Sequence, residues 1–216
     1  MNLLIISLII ITFSIISILL RSLKIRIIGT IGEKRTSLRL KLLPQKKYLV
    51  INDLLLNIDG NYSQIDHVVI SIYGIFVIET KSYAGWIYGS FRNKYWTQNI
   101  YGHKHKLYNP IFQNQGHVMF LKEALGEPTY IIPIVVFLRT SSIRVFSPNF
   151  HVIKIGKLLR TIRSYNSPVM TFNEVEKIYM RLKIMNNTDR KSRRTHLKQV
   201  KERKRNDSWL FRQFKQ

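Results

Sequence analysis

The 216-residue chain contains no cysteine, which excludes a disulfide framework and any thiolate metal site and agrees with a reducing compartment. It is also poor in acid: 12 Asp and Glu stand against 35 Lys and Arg, a formal net charge of +23. So large an imbalance does not define a fold, but it favours polyanionic partners, either nucleic acid or an anionic membrane surface. No P-loop, no GxGxxG and no Ser/His/Asp arrangement is visible, and no internal repeat. With hydrophobic residues at 45%, the chain has enough apolar material for a core.

Charge is missing altogether from Leu3 to Leu20 (LLIISLIIITFSIISILL). As a helix this run is roughly 27 Å long, about the hydrocarbon thickness of a bilayer. A cleaved signal peptide would carry a basic segment before the apolar run and a small-x-small site after it. Here the order is reversed, because Arg21, Lys24 and Arg26 follow the run. The positive-inside rule then sets the C-terminal side in the cytoplasm, giving a single-pass protein of the cell membrane.

Residues 21 to 47 hold nine basic residues and one acid, Glu33. Residues 32–43 read as a helix with Leu38, Leu42 and Leu43 on its apolar side, ending before Pro44. Strands are expected at Tyr48 to Ile58, Gln64 to Ile72, Ile75 to Thr80 and around Trp86 to Trp96, the last broken near Arg92-Asn93. Asn109-Pro110 opens a helix that runs to Gly126. Ile131 to Leu138 (IIPIVVFL) reads as a central strand covered on both faces, and His151 to Ile155 as a weaker one. Thr171-Phe-Asn-Glu174 has the form of a capping box and opens an amphipathic helix to about Met185. Residues 186 to 216 are polar and basic without a regular apolar period, Trp209, Leu210 and Phe211 excepted. The order α-β-β-β-α-β after the anchor predicts an α/β fold with a mixed sheet.

Glu79 and Lys81 end an apolar strand and, by the period of two, point to one face. If Ser71 to Gly74 form the hairpin loop, Ile70 faces Ile75 and Asp66 faces Glu79; a slip of one residue sets His67 against Glu79 instead. Two carboxylates so close repel unless a cation lies between them, and oxygen-rich sites of this kind suit Mg²⁺. Lys81 could then orient or deprotonate a water and neutralise a phosphate oxygen. The plainer alternative is a solvated strand end. His103-Lys-His105 reads as a basic loop, His67 as either a support of the site or a core residue, and Trp86, Tyr95, Trp96 and Tyr101 as core packing rather than base-stacking groups.

At these residues the sequence resembles the NERD domain (nuclease-related domain). The likeness is carried by Gly32-Glu33, Gln64-Ile-Asp66-His-Val-Val, Gly74-Ile-Phe-Val-Ile-Glu79-Thr-Lys81-Ser-Tyr-Ala-Gly85, Trp96 and Asn109-Pro-Ile-Phe-Gln113-Asn114, across roughly residues 29 to 140. That family is placed in the PD-(D/E)xK nuclease superfamily. The resemblance implies a restriction-endonuclease-like αβββαβ core with a mixed sheet behind one transmembrane helix. It implies Asp66 and Glu79 as metal ligands for Mg²⁺ (with Mn²⁺ as substitute) and Lys81 as the catalytic lysine. It further implies Glu33 as an auxiliary acid and Gln113 as an accessory polar group. Ile65 stands where the superfamily's name would have proline. The expected organisation is an anchor (1–21), a basic juxtamembrane linker (22–31), a nuclease-like domain (32–140), a C-terminal extension (141–185) and a basic, disordered tail (186–216). The expected partners are nucleic acid, DNA ahead of RNA, and the membrane, with anionic lipid competing for the basic flanks. The runner-up is a catalytically inactive nucleic-acid-binding module tethered at the membrane.

Overall fold

Apolar strands that must hide both faces need helices on both sides, and that requirement organises the chain into a mixed α/β fold. The computed structural model describes residues 2–126 and 130–213, with side chains defined over 5–24, 26–126 and 130–202. A long helix α1 (Asn2–Leu40) leads into β1 (Tyr48–Ile58), β2 (Asn61–Ser71), β3 (Gly74–Ser90), β4 (Tyr95–Ile100) and β5 (His103–Tyr108). Then follow α2 (Pro110–Leu125), β6 (Ile131–Phe146), β7 (His151–Lys154), α3 (Leu158–Arg163), α4 (Phe172–Met185) and α5 (Arg190–Gln213).

The seven strands form one sheet in which β1 to β5 follow one another antiparallel, while β6 lies parallel to β3 and to β7. Strand β3 is the spine. Its far edge pairs with β6 from Ile75–Ile131 to Ser90–Phe146, with register shifts between Lys81 and Ala84 and between Gly85 and Trp86. Its near edge is shared: β2 holds Gly74 to Ile78, and β4 holds Trp86 to Tyr88. Between them Glu79 to Gly85 have no strand partner on that edge, which leaves a notch in the sheet. Gly85 (φ 76°) lets the backbone re-enter pairing there, and a side chain on it would collide with the Asn99 carbonyl.

Alternation along β3 sends odd residues to one layer and even residues to the other. Ile75 and Val77 pack with Leu121, Leu125, Val175 and Leu182 of α2 and α4. Phe76 and Ile78 pack with Leu40 at the end of α1 and with Leu158 and Ile162 of α3. Past the notch, Ile87 and Trp96 continue the α2 layer with Ile111, Val135 and Phe137.

The expected hairpin register is present, with Ile70 opposite Ile75, and pairing extends to Ser71–Gly74 so that only Ile72 and Tyr73 form the turn. The Asn109 cap, the Gly126 terminus in left-handed conformation and the Thr171–Glu174 capping box all occur. Four differences are informative. Of the apolar side expected of the first helix only Leu43 is buried: Leu38 and Leu42 are exposed, and the buried stripe is Gly32, Thr36 and Leu40. A glycine and a threonine carry no hydrophobic signal, yet they allow close approach, since a side chain at Gly32 would clash with Ser82. Residues 22–31 continue the helix rather than forming a linker. His103 to His105 lie in a strand, because β5 pairs with β4 along its length. The basic tail is helical from Arg190 and docks on the β1–β2 hairpin: Arg193 pairs with Asp53 at 2.8 Å, and Gln199 bonds Tyr62 N at 3.1 Å and the Gly60 carbonyl at 2.8 Å. The side chains of Trp209, Leu210 and Phe211 lie outside the described residues.

Residues 5–24 of α1 are exposed on every side of the helix. It is one helix long and apolar enough to cross a membrane.

Candidate active site

The notch in β3 is where the sequence-predicted residues meet. The β2–β3 ladder ends at His67–Ile78, one step short of Asp66 and Glu79. With no strand opposite, the Thr80 N–H donates to the Asp66 carboxylate at 2.8 Å, so a side chain takes the place of a ladder bond. Thr80 itself points to the α1 layer, with its hydroxyl 3.5 Å from that of Thr36.

Glu79 and Lys81, being odd, turn towards α2. Glu79 is almost wholly buried, and Lys81 Nζ lies 2.6 Å from its Oε1. The other oxygen, Oε2, has His117 Nε2 at 3.2 Å. Lys81 also donates to Gln113 Oε1 at 2.9 Å. Gln113 and His117 are four apart on α2 and so share a face, with their nitrogens 3.5 Å apart. Ser63 Oγ meets the far side of the His117 ring, Nδ1, at 2.9 Å. Position along the helix is fixed from its start: buried Asn109 accepts from Ile111 N at 2.9 Å and donates to the carbonyls of Ser90, Phe91 and Asn93. Asn114, next to Gln113, donates to the carbonyls of Val77 and Ile134 and so fastens α2 to β3 and β6.

Burial opposes charge on Glu79, but Lys81 and the His117 contact outweigh it and hold the carboxyl below its ordinary range. The same pairing holds Lys81 charged, its pKa raised above the usual lysine value despite burial. Asp66 is the reverse case. Burial and then the Glu79 charge push its carboxyl well above the usual range, against the pull of the Thr80 N–H and Lys81. Glu33, on α1, is raised by burial and by the negative charges of Asp53 and Glu79. Lys81 thus answers the Glu79 charge, while Asp66 and Glu33 feel that charge as repulsion.

Of the residues expected at the site, Asp66, Glu79, Lys81 and Gln113 come together and Glu33 lies within their electrostatic reach. His67 is a neighbour of a different kind: it is buried, its Nδ1 bonds Asn52 at 2.7 Å, and burial lowers its pKa to about 4, so it is neutral. Trp96 is core, whereas Trp86 and Tyr101 are exposed. Sequence reasoning missed His117 and Ser63; the i, i+4 spacing of Gln113 and His117 was the available signal for the first. Among the described residues, no three His, Asp or Glu side chains converge as a ready-made metal cage.

The profile of the nuclease-related domain (NERD) matches residues 28–138, which take in α1 from its last apolar turns through β6 up to Leu138. An uncharacterized protein of Bacillus anthracis is 34% identical over 174 residues, covering 79% of this chain and 82% of that protein. No solved structure matches. The chain belongs to the NERD family.

Proposed function

We propose that this protein is a membrane-anchored, Mg²⁺-dependent nuclease that hydrolyses phosphodiester bonds at the Asp66–Glu79–Lys81 notch, with DNA as the favoured substrate. The observation that carries the reading is the gathering of two carboxylates and a lysine where β2 and β3 part. The element order supports a PD-(D/E)xK core: α1, β1, β2, β3, α2 and β6 make αβββαβ, with β4 and β5 inserted as a hairpin. The apolar helix followed by Arg21, Lys24 and Arg26 supports a single pass with the domain in the cytoplasm.

The mutual repulsion of Asp66, Glu79 and Glu33 fits a divalent cation, which Asp66 and Glu79 would hold. When bound, Mg²⁺ supplies Lewis-acid stabilisation of charge developing on phosphate. The residues of the chain do the rest. Lys81 is held charged by Glu79 and aimed by Gln113, so it neutralises a phosphate oxygen or orients a water through Nζ and does not act as the base. Glu33, whose proton affinity is raised, is the group suited to take the proton of the attacking water on its carboxylate.

The test incubates the full chain in detergent with single- and double-stranded DNA and RNA, with Mg²⁺ or with chelator. Cleavage should require the metal and fall by about 10²-fold or more in Lys81→Ala. A specific observation favours a second reading, an inactive nucleic-acid-binding module at the membrane. Glu79 already has Lys81 at one oxygen and His117 beside the other. Steeply salt-dependent binding without cleavage in Mg²⁺ would select it.

A further inference from the structure

The two faces of β3 carry different chemistry beyond the notch. One face is the α2 layer described above. The other displays Trp86, which is 42% exposed, and Tyr88, with the Arg144 guanidinium 4.5 Å above the indole and 5.7 Å from the phenol ring. Pairing extends this surface sideways. Tyr88 stands opposite Thr97, and Thr97 opposite Lys106, whose ammonium sits 4.1 Å over the Tyr95 ring. Phe146, paired with Ser90, adds a phenyl group that is 66% exposed.

No carboxylate faces these groups from their own strands. The sequence has no Asp or Glu between Glu79 and Glu123, nor between Glu127 and Glu174, so the second half of β3 and all of β4 to β7 are free of acid. Exposed tryptophan and phenylalanine beside half-buried tyrosines and basic side chains form a patch of the kind that marks an interaction surface. The same mixture is what the headgroup level of a bilayer accommodates.

The direction of α1 says where that level is. Thr36 meets Thr80 and Gly32 meets Ser82, so the helix runs antiparallel to β3 on this face. Going towards the helix N-terminus therefore means going towards Trp86. The Trp86 end of β3, with Phe146 beside Ser90, therefore lies on the side of the sheet towards which the apolar run of α1 extends.

We infer that the Trp86–Arg144–Phe146 surface docks on anionic lipid headgroups of the membrane that α1 crosses, holding the notch at a set orientation to the bilayer. This rests on the proposed anchoring by α1. Nucleic acid is the other polyanion the chemistry would accept, but the continuity with α1 and the separation from the α2 face, to which Glu79 and Lys81 turn, favour lipid.

Because the chain has no cysteine, single labels can be placed without removing any. Phe146→Cys and, as a control on the α4 side, Ile184→Cys (86% exposed in the native chain) would carry a fluorophore in full-length protein in nanodiscs. The discs would be phosphatidylcholine with or without phosphatidylglycerol, with quencher-bearing lipid headgroups. The label at 146 should be quenched in discs containing phosphatidylglycerol and the label at 184 should not. Arg144→Gln or Lys106→Gln should lower the docked-to-undocked ratio by about 5-fold per cation lost. Inserted protein whose label at 146 stays in water would overturn docking alone. Protein extracted by alkaline carbonate would overturn the anchor and the docking together. Protection of the label by an oligothymidylate in place of anionic lipid would assign the surface to nucleic acid and overturn the proposal.

Discussion

Lys81 Nζ lies 2.6 Å from Oε1 of Glu79, two residues before it on the same strand, and both side chains are withdrawn from water. A buried pair is marginal as a source of stability while intact and expensive when half of it is removed. Lys81→Met should therefore destabilise the domain by about 3 kcal/mol, because Glu79 is left with only His117. The double variant Lys81→Met/Glu79→Gln should recover most of that loss. Thermal melts of the detergent-solubilised chain check both, and equal melting temperatures for the single and double variants would show that the pair is not coupled.

A second expectation concerns pH. His67 has its pKa lowered to about 4 by burial, against 6.5 when unfolded. Between these values the unfolded chain binds the extra proton, so stability rises with pH through that window and is lost as pH falls from 6.5 towards 4. The full loss is about 3 kcal/mol. His67→Gln removes this contribution. The difference in unfolding free energy between wild type and variant should shrink from pH 7.5 to pH 4.5, and a difference that does not vary with pH would refute it.

Asn109 is the third. It is fully buried, caps α2 and bonds three carbonyls of the β3–β4 turn. Asn109→Ala should cost about 2–3 kcal/mol, since it removes a cap and leaves buried carbonyls unpaired. Loss of the aim of Gln113 at Lys81 should accompany it, read as a reduced rate of the proposed cleavage at a temperature where the variant is still folded.

Truncation after Thr188 is the fourth. It removes Arg193 and Gln199 from the β1–β2 hairpin but keeps Asn186 and Asn187, which bond the backbone of Leu55. The Arg193–Asp53 pair is partly exposed and contributes less than about 1 kcal/mol. The truncated chain should stay folded with a small drop in melting temperature and a flatter salt dependence of nucleic-acid binding. Loss of the cooperative transition would make α5 part of the core.

The β2–β3 hairpin and α2 were legible because each rests on short-range signals. Asn109-Pro110 and Gly126 bound the helix by cap chemistry, and unbroken apolar runs on both sides of Gly74 set the register that brings Asp66 to Glu79. What was not legible depends on surfaces that meet only after folding. Gly32, Thr36 and Leu40 form the contact face of α1 because Ser82 and Thr80 lie against it, and nothing local in residues 32–43 distinguishes that stripe from Leu38 and Leu42. His117 joins Glu79 only because α2 lies over the notch. The helical path of α5 likewise depends on Asp53 and the Gly60 turn, which offer it partners more than a hundred residues upstream.

The parallel pairing of β3 with β6 also imposes an order in time. Ile75 must wait for Ile131, and Ser90 for Phe146, before the spine of the sheet has its far edge. Closing so long a loop is entropically slow compared with forming the local β2–β3 hairpin. The apolar helix precedes the hairpin in the chain, so with the proposed anchoring the hairpin carrying Asp66 and Glu79 forms after the anchor has been made. The carboxylates are buried only when α2 and β6 arrive. On that proposal, the nascent chain reaches a membrane before the notch is assembled.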